Sequence, residues 1–376
     1  MVSPDTLGLL MQGLTNVTPQ SVVMMLVALM LLYLGIARHY EPLLLVPIAA
    51  GCLLANLPLS PLIADDGMLR VLYDMGIRNE LFPLLIFIGI GALTDYGPLL
   101  ENPRLVLLGA AGQFGIFLTL ILALLLGFSR PEAASIGIIG AIDGPTSIYV
   151  SGLLAPHLLG PITVAAYSYM SLVPIILPPI MKLLTTPQER RIRMPYSQRK
   201  ISRRTRILFP IVVTVLVGTL VPFATPLIGM LMLGNLMKES GAVERLTNAS
   251  AQEIANTVTL FLGLAIGSTM LGTEFLKPST LAILVLGIVA FTVDGVAGVL
   301  FAKLLNRLSG GKVNPLIGAA GISAFPMAAR VVQKVAQEED FENFLLMHAM
   351  GANAAGQIAS VVAGGVLLAL MGAGGH

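Results

Sequence analysis

Two stretches of this chain, 105–128 and 343–375, contain no Asp, Glu, Lys or Arg. A helix needs about 20 mostly apolar residues to cross a hydrocarbon core about 30 Å thick. In lipid the backbone must satisfy its own hydrogen bonds, so uncharged runs of this length fold as membrane helices. Further apolar runs occupy 21–37, 42–58, 81–99, 133–154, 158–181, 207–224, 226–237, 254–273, 278–302 and 313–332. Charged residues make up only 11% of the chain, against about 25% in soluble domains. Gly 39 and Pro 24, loop-forming in water, read here as close helix packing and deliberate helix breaks. The expected fold class is an all-α polytopic membrane protein of about 9–11 membrane segments, some broken or re-entrant. No cleavable signal peptide is expected, because the first 20 residues lack a basic n-region. A net charge of +2 excludes a nucleic-acid binder working through a basic face and an acidic disordered tail. The single cysteine, Cys52, excludes a disulfide scaffold and a Cys-ligated metal site.

One loop breaks the pattern. Residues 182–206 hold Lys182, Arg190, Arg191, Arg193, Arg199, Lys200, Arg203, Arg204 and Arg206 against Glu189. The positive-inside bias puts this loop in the cytoplasm, and the more acidic segment Asp65–Glu80 is a weaker candidate for the opposite side. The loop divides the chain into a first membrane repeat, 1–181, a basic cytoplasmic linker, 182–206, and a second membrane repeat, 207–376. The halves resemble each other at three places in the same order. Pro47-Ile-Ala-Ala-Gly-Cys-Leu-Leu-Ala-Asn56-Leu57 matches Pro226-Leu-Ile-Gly-Met-Leu-Met-Leu-Gly-Asn235-Leu236. Phe87-Ile-Gly89-Ile matches Phe261-Leu-Gly263-Leu, and Gly137-x-x-Gly140-x4-Pro145 matches Gly318-x-x-Gly321-x4-Pro326. Each half has six apolar segments. If one per half is re-entrant, around Gly89 and Gly263, each half crosses an odd number of times and the repeats are inverted. Such duplicated proteins place their sites at the midplane, where both halves contribute broken helices.

Asp95, Asp143 and Asp294 sit within or at the edge of apolar spans. A lone carboxylate in hydrocarbon costs about 2.5–3.5 kcal/mol on insertion scales, so it faces a cavity or a partner. Asp143 is the extreme case, since residues 133–181 hold no other Asp, Glu, Lys or Arg apart from it until Lys182. Its context is Gly140-Ala-Ile-Asp143-Gly144-Pro145-Thr146-Ser147. Pro145 lacks an N–H and Gly144 tolerates unusual dihedrals, so a helix breaks there. The break frees carbonyl oxygens beside a carboxylate and two hydroxyls, a hard-oxygen site for a small cation such as Na⁺. The matching break in the second half, from Asn314-Pro315 through Ser323 to Pro326, supplies an amide and a hydroxyl, with Arg330 following.

A third polar cluster is His348, Asn353, Gln357 and Ser360; the amides of Asn353 and Gln357 need partners in lipid. Asp294 aligns with Gln113 and is a candidate second cation ligand or proton carrier. Asp95, beside Tyr96-Gly97-Pro98, reads as a membrane-edge residue. Tyr167 and Tyr169 bring phenols either to the cavity or to the interface. There is no phosphate loop with Lys, no His pair at metal spacing, no Gly-x-Ser-x-Gly nucleophile and no Ala-Met-Lys-Met biotinylation sequence. An ion gradient, or chemistry delivered by another subunit, must therefore drive any transport.

Three motifs, Gly140-Ala-Ile-Asp143-Gly-Pro-Thr146, Asn314-Pro-Leu-Ile-Gly-Ala-Ala-Gly-Ile-Ser-Ala-Phe-Pro326-Met-Ala-Ala-Arg330 and Met347-His-Ala-Met-Gly-Ala-Asn353, carry a family resemblance. From about residue 80 onward the chain resembles the β subunit of the sodium-translocating biotin-dependent decarboxylases. These include the oxaloacetate, methylmalonyl-CoA and glutaconyl-CoA decarboxylase complexes. Family members often have Gly-Gly where this chain has Ala141-Ile142, and Pro where it has Ala352.

The resemblance implies that a carboxyltransferase subunit loads biotin on a carrier protein, and that this chain decarboxylates the carboxybiotin. It implies consumption of a proton from the far side, Na⁺ export, and no biotin on this chain itself. It further implies a small single-span membrane subunit, an oligomer, no nucleic acid, and the inner (cytoplasmic) membrane. Carried over by motif, Asp143 is the Na⁺ and proton site, and Asn314 and Asn353 are Na⁺ ligands. Ser323 and Tyr169 lie in the ion and proton path, and Arg330 is needed for activity. A carboxylate that binds Na⁺ when ionised and H⁺ when neutral is independently the simplest device for coupling opposite fluxes. A dry site would also help CO₂ leave. A sodium/solute symporter of the bile-acid-transporter type would share the repeats and breaks but have no enzyme partner. The acyl substrate is chosen by the carboxyltransferase.

Overall fold

The computed structural model describes residues 12, 13, 15–195 and 201–372, so Arg199 and Lys200 of the basic loop lie outside the described residues. Among the described residues there are helices and no strands. The first half comprises α1 (Pro19–Ala37), α2 (Pro42–Ala55), α3 (Met68–Gly76), α4 (Leu81–Leu93), α5 (Val106–Ala111), α6 (Phe114–Leu125), α7 (Arg130–Gly137), α8 (Gly144–Leu154) and α9 (Leu159–Leu184). The second comprises α10 (Arg203–Leu220), α11 (Thr225–Ser240), α12 (Ala255–Thr269), α13 (Pro278–Leu308), α14 (Met327–Glu339) and α15 (Leu346–Leu370). Sequence punctuation sets many of these ends. Thr18 caps α1 by accepting the N–H of Ser21 at 3.1 Å, with Pro19 in the first turn. Ser129 and Glu132 form a capping box on α7.

Four helical stretches are long and apolar enough to cross a membrane: 19–37, 103–125, 278–308 and 346–370. Two bent pairs raise the number to six, with 61–76 meeting 81–93 at 58° and 156–170 meeting 172–184 at 61°. This is a polytopic membrane protein, although most of the other expected segments form helices too short, or too charged at one end, to meet that standard. Glycine and proline are the reason. The 103–125 stretch is itself interrupted at Gly112-Gln113, and 133–154 is split by a 3₁₀ turn at Ile138–Ala141. The run 313–332, expected as a span, is instead a 3₁₀ helix, Pro315–Gly321, followed by the start of α14. That helix is amphipathic. Ala328, Val331, Val332, Val335 and Ala336 are buried, while Arg330, Lys334 and Glu338 line the exposed face.

Two apolar cores result. The larger contains Ile139, Leu177, Phe291 and Leu316, and the smaller contains Met24, Ile48, Leu262 and Ile266. Helix α9 serves both, with Tyr169 in the larger and Tyr167 in the smaller. The packing is reciprocal: α2 lies on α12, and α11, its sequence match, lies on α4. Asn56 donates to the carbonyl of Met270 at 2.8 Å beyond α12, and Asn235 donates to that of Thr94 at 3.2 Å beyond α4. Small residues permit this closeness, since lipid gives helices no hydrophobic reason to associate. A Cβ on Gly234 would sit 2.0 Å from the carbonyl oxygen of Ile88, whereas one on Gly229 of the same helix would meet nothing within 4 Å. Gly234→Ala is therefore expected to cost about 1–3 kcal/mol by overpacking. Gly229→Ala should not lower the thermal midpoint of the detergent-solubilised protein.

Candidate functional site: a carboxylate between two broken helices

The chain leaves α7 through the 3₁₀ turn Ile138–Ala141 and reaches Ile142 in the left-handed region, at φ 50°. For a β-branched residue this is a strained conformation, held here by full burial on both sides. It turns the chain so that Asp143 becomes the N-cap of α8. Oδ1 accepts from the N–H of Thr146 at 3.4 Å, and Oδ2 from the hydroxyls of Thr146 at 2.7 Å and Ser360 at 2.9 Å. Asp143 is 7% exposed and has no ion pair with a Lys or Arg among the described residues. Among the described residues, the positive end of α8 and two hydroxyls compensate it. The carboxylate opens on a cavity of about 360 Å³ lined also by Phe87, Met170, Ser323, Pro326 and Gln357.

The second break meets the first here. The N–H of Ser323 donates to the carbonyl of Ala141 at 3.3 Å, and its hydroxyl donates to that of Gly356 at 2.8 Å. Asn353, Gln357 and Ser360 lie on one face of α15, at the i, i+4, i+7 spacing of a helix. Asn353 is fully buried. Its Nδ2 donates to the carbonyl of Ile322 at 2.5 Å and its Oδ1 has no partner. Gln357 accepts from the hydroxyl of Thr94 at 3.0 Å. The donor set is one carboxylate, hydroxyls and amides, all hard oxygens suited to a small cation and not to a soft transition metal.

Of the expected site residues, Asp143 and Ser323 line the cavity, whereas Asn314, Asn353, Tyr169, Arg330 and Asp294 do not. Asn314 is spent on structure. Its Nδ2 donates to the carbonyls of Arg190 at 2.9 Å and Ile192 at 2.8 Å, and its Oδ1 accepts from the N–H of Leu316 at 3.0 Å. It anchors the basic linker and does not line the cavity. Tyr169 points away, donating to the carbonyl of Leu284 on α13. Tyr167 is the phenol laid against the site, close enough that a Cβ on Gly144 would fall 1.9 Å from its ring. Arg330 lies on the exposed face of α14, its N–H bonded at 3.3 Å to the carbonyl of Pro326 at the cavity wall. Asp95 pairs with Arg206 at 3.4 Å, at the end of the linker. Nothing in the sequence marks Thr94, because a lone threonine beside an acid carries no distinguishing pattern.

The linker is tied to the second half by charge. Lys182 pairs with Glu338 at 2.7 Å, Arg190 with Glu339, and Arg193 with Asp340 at 2.7 Å and Glu342 at 3.0 Å. The hydrogen bonds from Arg193 hold the Asp340 carboxyl below its usual range. This tie is therefore complete above the ordinary carboxylate pKa and is lost as pH falls through the lowered one.

A helical membrane fold that buries one carboxylate between two broken helices defines the class as one of ion-handling membrane proteins. Comparison with known proteins is more specific. Residues 20–371 match the family model of the Na⁺-transporting oxaloacetate decarboxylase β subunit, and the chain belongs to that family. It is 53% identical over 360 residues to the glutaconyl-CoA decarboxylase β subunit of Acidaminococcus fermentans, covering 96% of each chain. It is 54% identical over 359 residues to the methylmalonyl-CoA decarboxylase β subunit of Veillonella parvula, covering 96% of this chain and 95% of that one. To the oxaloacetate decarboxylase β chain of Klebsiella pneumoniae it is 48% identical over 427 residues, covering 97% and 98%.

Proposed function

We propose that this chain is the membrane subunit of a decarboxylase complex, in which carboxybiotin delivered on a partner is decarboxylated and Na⁺ is moved outward. The observation that carries the reading is Asp143, a buried carboxylate without a counter-cation, facing a cavity and held by hydroxyls that leave it room for a small ion. In the reaction the bond from the biotin nitrogen to the carboxyl carbon breaks, CO₂ leaves and a proton adds to the nitrogen. Asp143 holds Na⁺ when ionised and the proton when neutral, so the two occupy it in turn. Ser360, Thr146 and Gln357, with the free Oδ1 of Asn353, complete the oxygen set. Ser323 joins the two breaks, Tyr169 fixes α9 to α13, and Arg330, beside the cavity wall, attracts the anionic carboxyl group. Biotin resides on a carrier protein, loaded by a carboxyltransferase subunit, with a small single-span subunit in an oligomeric complex.

Residues 1–181 and 207–376 form two inverted repeats around the cytoplasmic linker 182–206. The reciprocal packing of α2 on α12 and α11 on α4 supports that reading. The test is reconstitution. A complex that co-purifies on avidin, placed in vesicles, should take up radioactive Na⁺ when given its acyl substrate, and avidin should block both CO₂ release and uptake. Na⁺ uptake that needs no biotin partner would overturn the reading in favour of a symporter.

A further inference from the structure

Asp294 is the one charged residue of α13 before Lys303, and its side chain is fully buried. Oδ1 accepts the N–H of Gly115 in the first turn of α6, while Oδ2 has no hydrogen-bond partner. A Cβ on Gly140 would lie 2.9 Å from that free oxygen, so Oδ2 faces the 3₁₀ segment that leads to Asp143. The residue aligned with it in the first half, Gln113, does a comparable job with a neutral amide, donating to the carbonyls of Gly109 at 3.2 Å and Gly321 at 3.3 Å. An amide therefore suffices to bridge a helix break here. A carboxyl at the same task is far costlier in hydrocarbon, and intramembrane acids of this kind mark ion or proton pathways.

Among the described residues no charged group is paired with it. Of the elements packed on α13, α5, α6, 138–141 and 315–321 hold no titratable residue. Helix α9 contributes Tyr167, Tyr169 and, near its end, Lys182; α7 contributes Arg130 and Glu132 in its first turn. Among the described residues none of these is bonded to Asp294, Oδ2 has no hydrogen-bond partner, and no group of three or more His, Cys, Asp or Glu stands ready to hold a metal ion. A proton needs no cage. We propose that Asp294 is a second proton-exchanging carboxyl of the pump, carrying H⁺ on Oδ2 while the 138–141 segment packs on it and exchanging it when that segment moves. Because the same segment leads through Ile142 to Asp143, Na⁺ occupancy at one carboxyl and protonation of the other share one piece of backbone. This rests on the Na⁺ and proton exchange proposed above.

Asp294→Asn in the reconstituted complex keeps an oxygen for the N–H of Gly115 but cannot take up a proton. Decarboxylation should fall by roughly 10²-fold, as for loss of other proton-transfer groups. The alkaline limb of its pH profile should disappear, and half-saturating Na⁺ should stay within about twofold of wild type, since ligands of another site are untouched. An assembled variant with wild-type rate and pH profile would make Asp294 a mere helix cap and overturn the proposal. A raised Na⁺ requirement, with fewer Na⁺ bound per chain, would make it a second Na⁺ ligand and overturn it equally. Should Asp294→Asn not assemble, Asp294→Glu keeps a titratable carboxyl at the same position. An assembled Asp294→Glu complex whose alkaline limb has moved supports the proposal, and one that is slowed but keeps the wild-type pH profile defeats it. Asp143→Asn run in parallel separates the two ideas, because Na⁺ pumping that survives there removes the exchange reading itself.

Discussion

Asp143→Asn is expected to leave the complex assembled and silent. The substituted amide can still accept from Thr146 and Ser360 through one oxygen, so the N-cap of α8 survives and stability should change by no more than about 1 kcal/mol. What disappears is the only negative charge in the cavity lining. Removing one partner of a buried charge pair costs about 3–5 kcal/mol, and for a bound Na⁺ that is roughly a 150- to 5,000-fold loss of affinity. Decarboxylation and Na⁺ uptake, measured together in vesicles, should both fall to background because one group serves both. Decarboxylation that persists without Na⁺ uptake would mean that chemistry and transport use separate carboxyls. Normal uptake would make Asp143 structural.

The centre of this site was legible in the sequence for a simple reason. A single carboxylate in a long uncharged stretch has to be compensated, and Gly144-Pro145 beside it announces the break that supplies the helix end. The face formed by Asn353, Gln357 and Ser360 was legible by helical spacing alone. Tyr169 was not. Two residues apart on a helix project about 200° from each other, and both sides of α9 are buried, so nothing local says which phenol meets the carboxylate. The role of Asn314 was hidden because it depends on what passes over it. The carbonyls of Arg190 and Ile192 come from the linker, and no sequence pattern predicts that the linker folds back onto the second half. Its tie to Glu338, Glu339, Asp340 and Glu342 is charge complementarity between segments remote in the chain. The membrane fold was legible from hydropathy, but segment length was not, because breaks buried between helices shorten them without changing their apolar character.

The two asparagines therefore make a discriminating pair. Asn353 offers a buried, unpartnered oxygen from the face of α15 that also carries Gln357 and Ser360, whereas Asn314 has both its oxygen and its amide nitrogen engaged by backbone. Asn353→Ala should raise the Na⁺ concentration for half-maximal decarboxylation, since one neutral ligand lost from a buried site costs about 1–3 kcal/mol, or roughly 5- to 150-fold. It should also couple with Ser360→Ala, the double variant departing from additivity because both act on one ion. Asn314→Ala should leave the Na⁺ dependence unmoved. Its cost should appear instead as a lower thermal midpoint and faster proteolysis of the linker, because the N-cap of the 315–321 turn and the anchor of residues 190–192 are lost together. A Na⁺ requirement raised by Asn314→Ala and untouched by Asn353→Ala would reverse the assignment. That result would require the second break to swing its amide away from the linker and into the cavity during turnover.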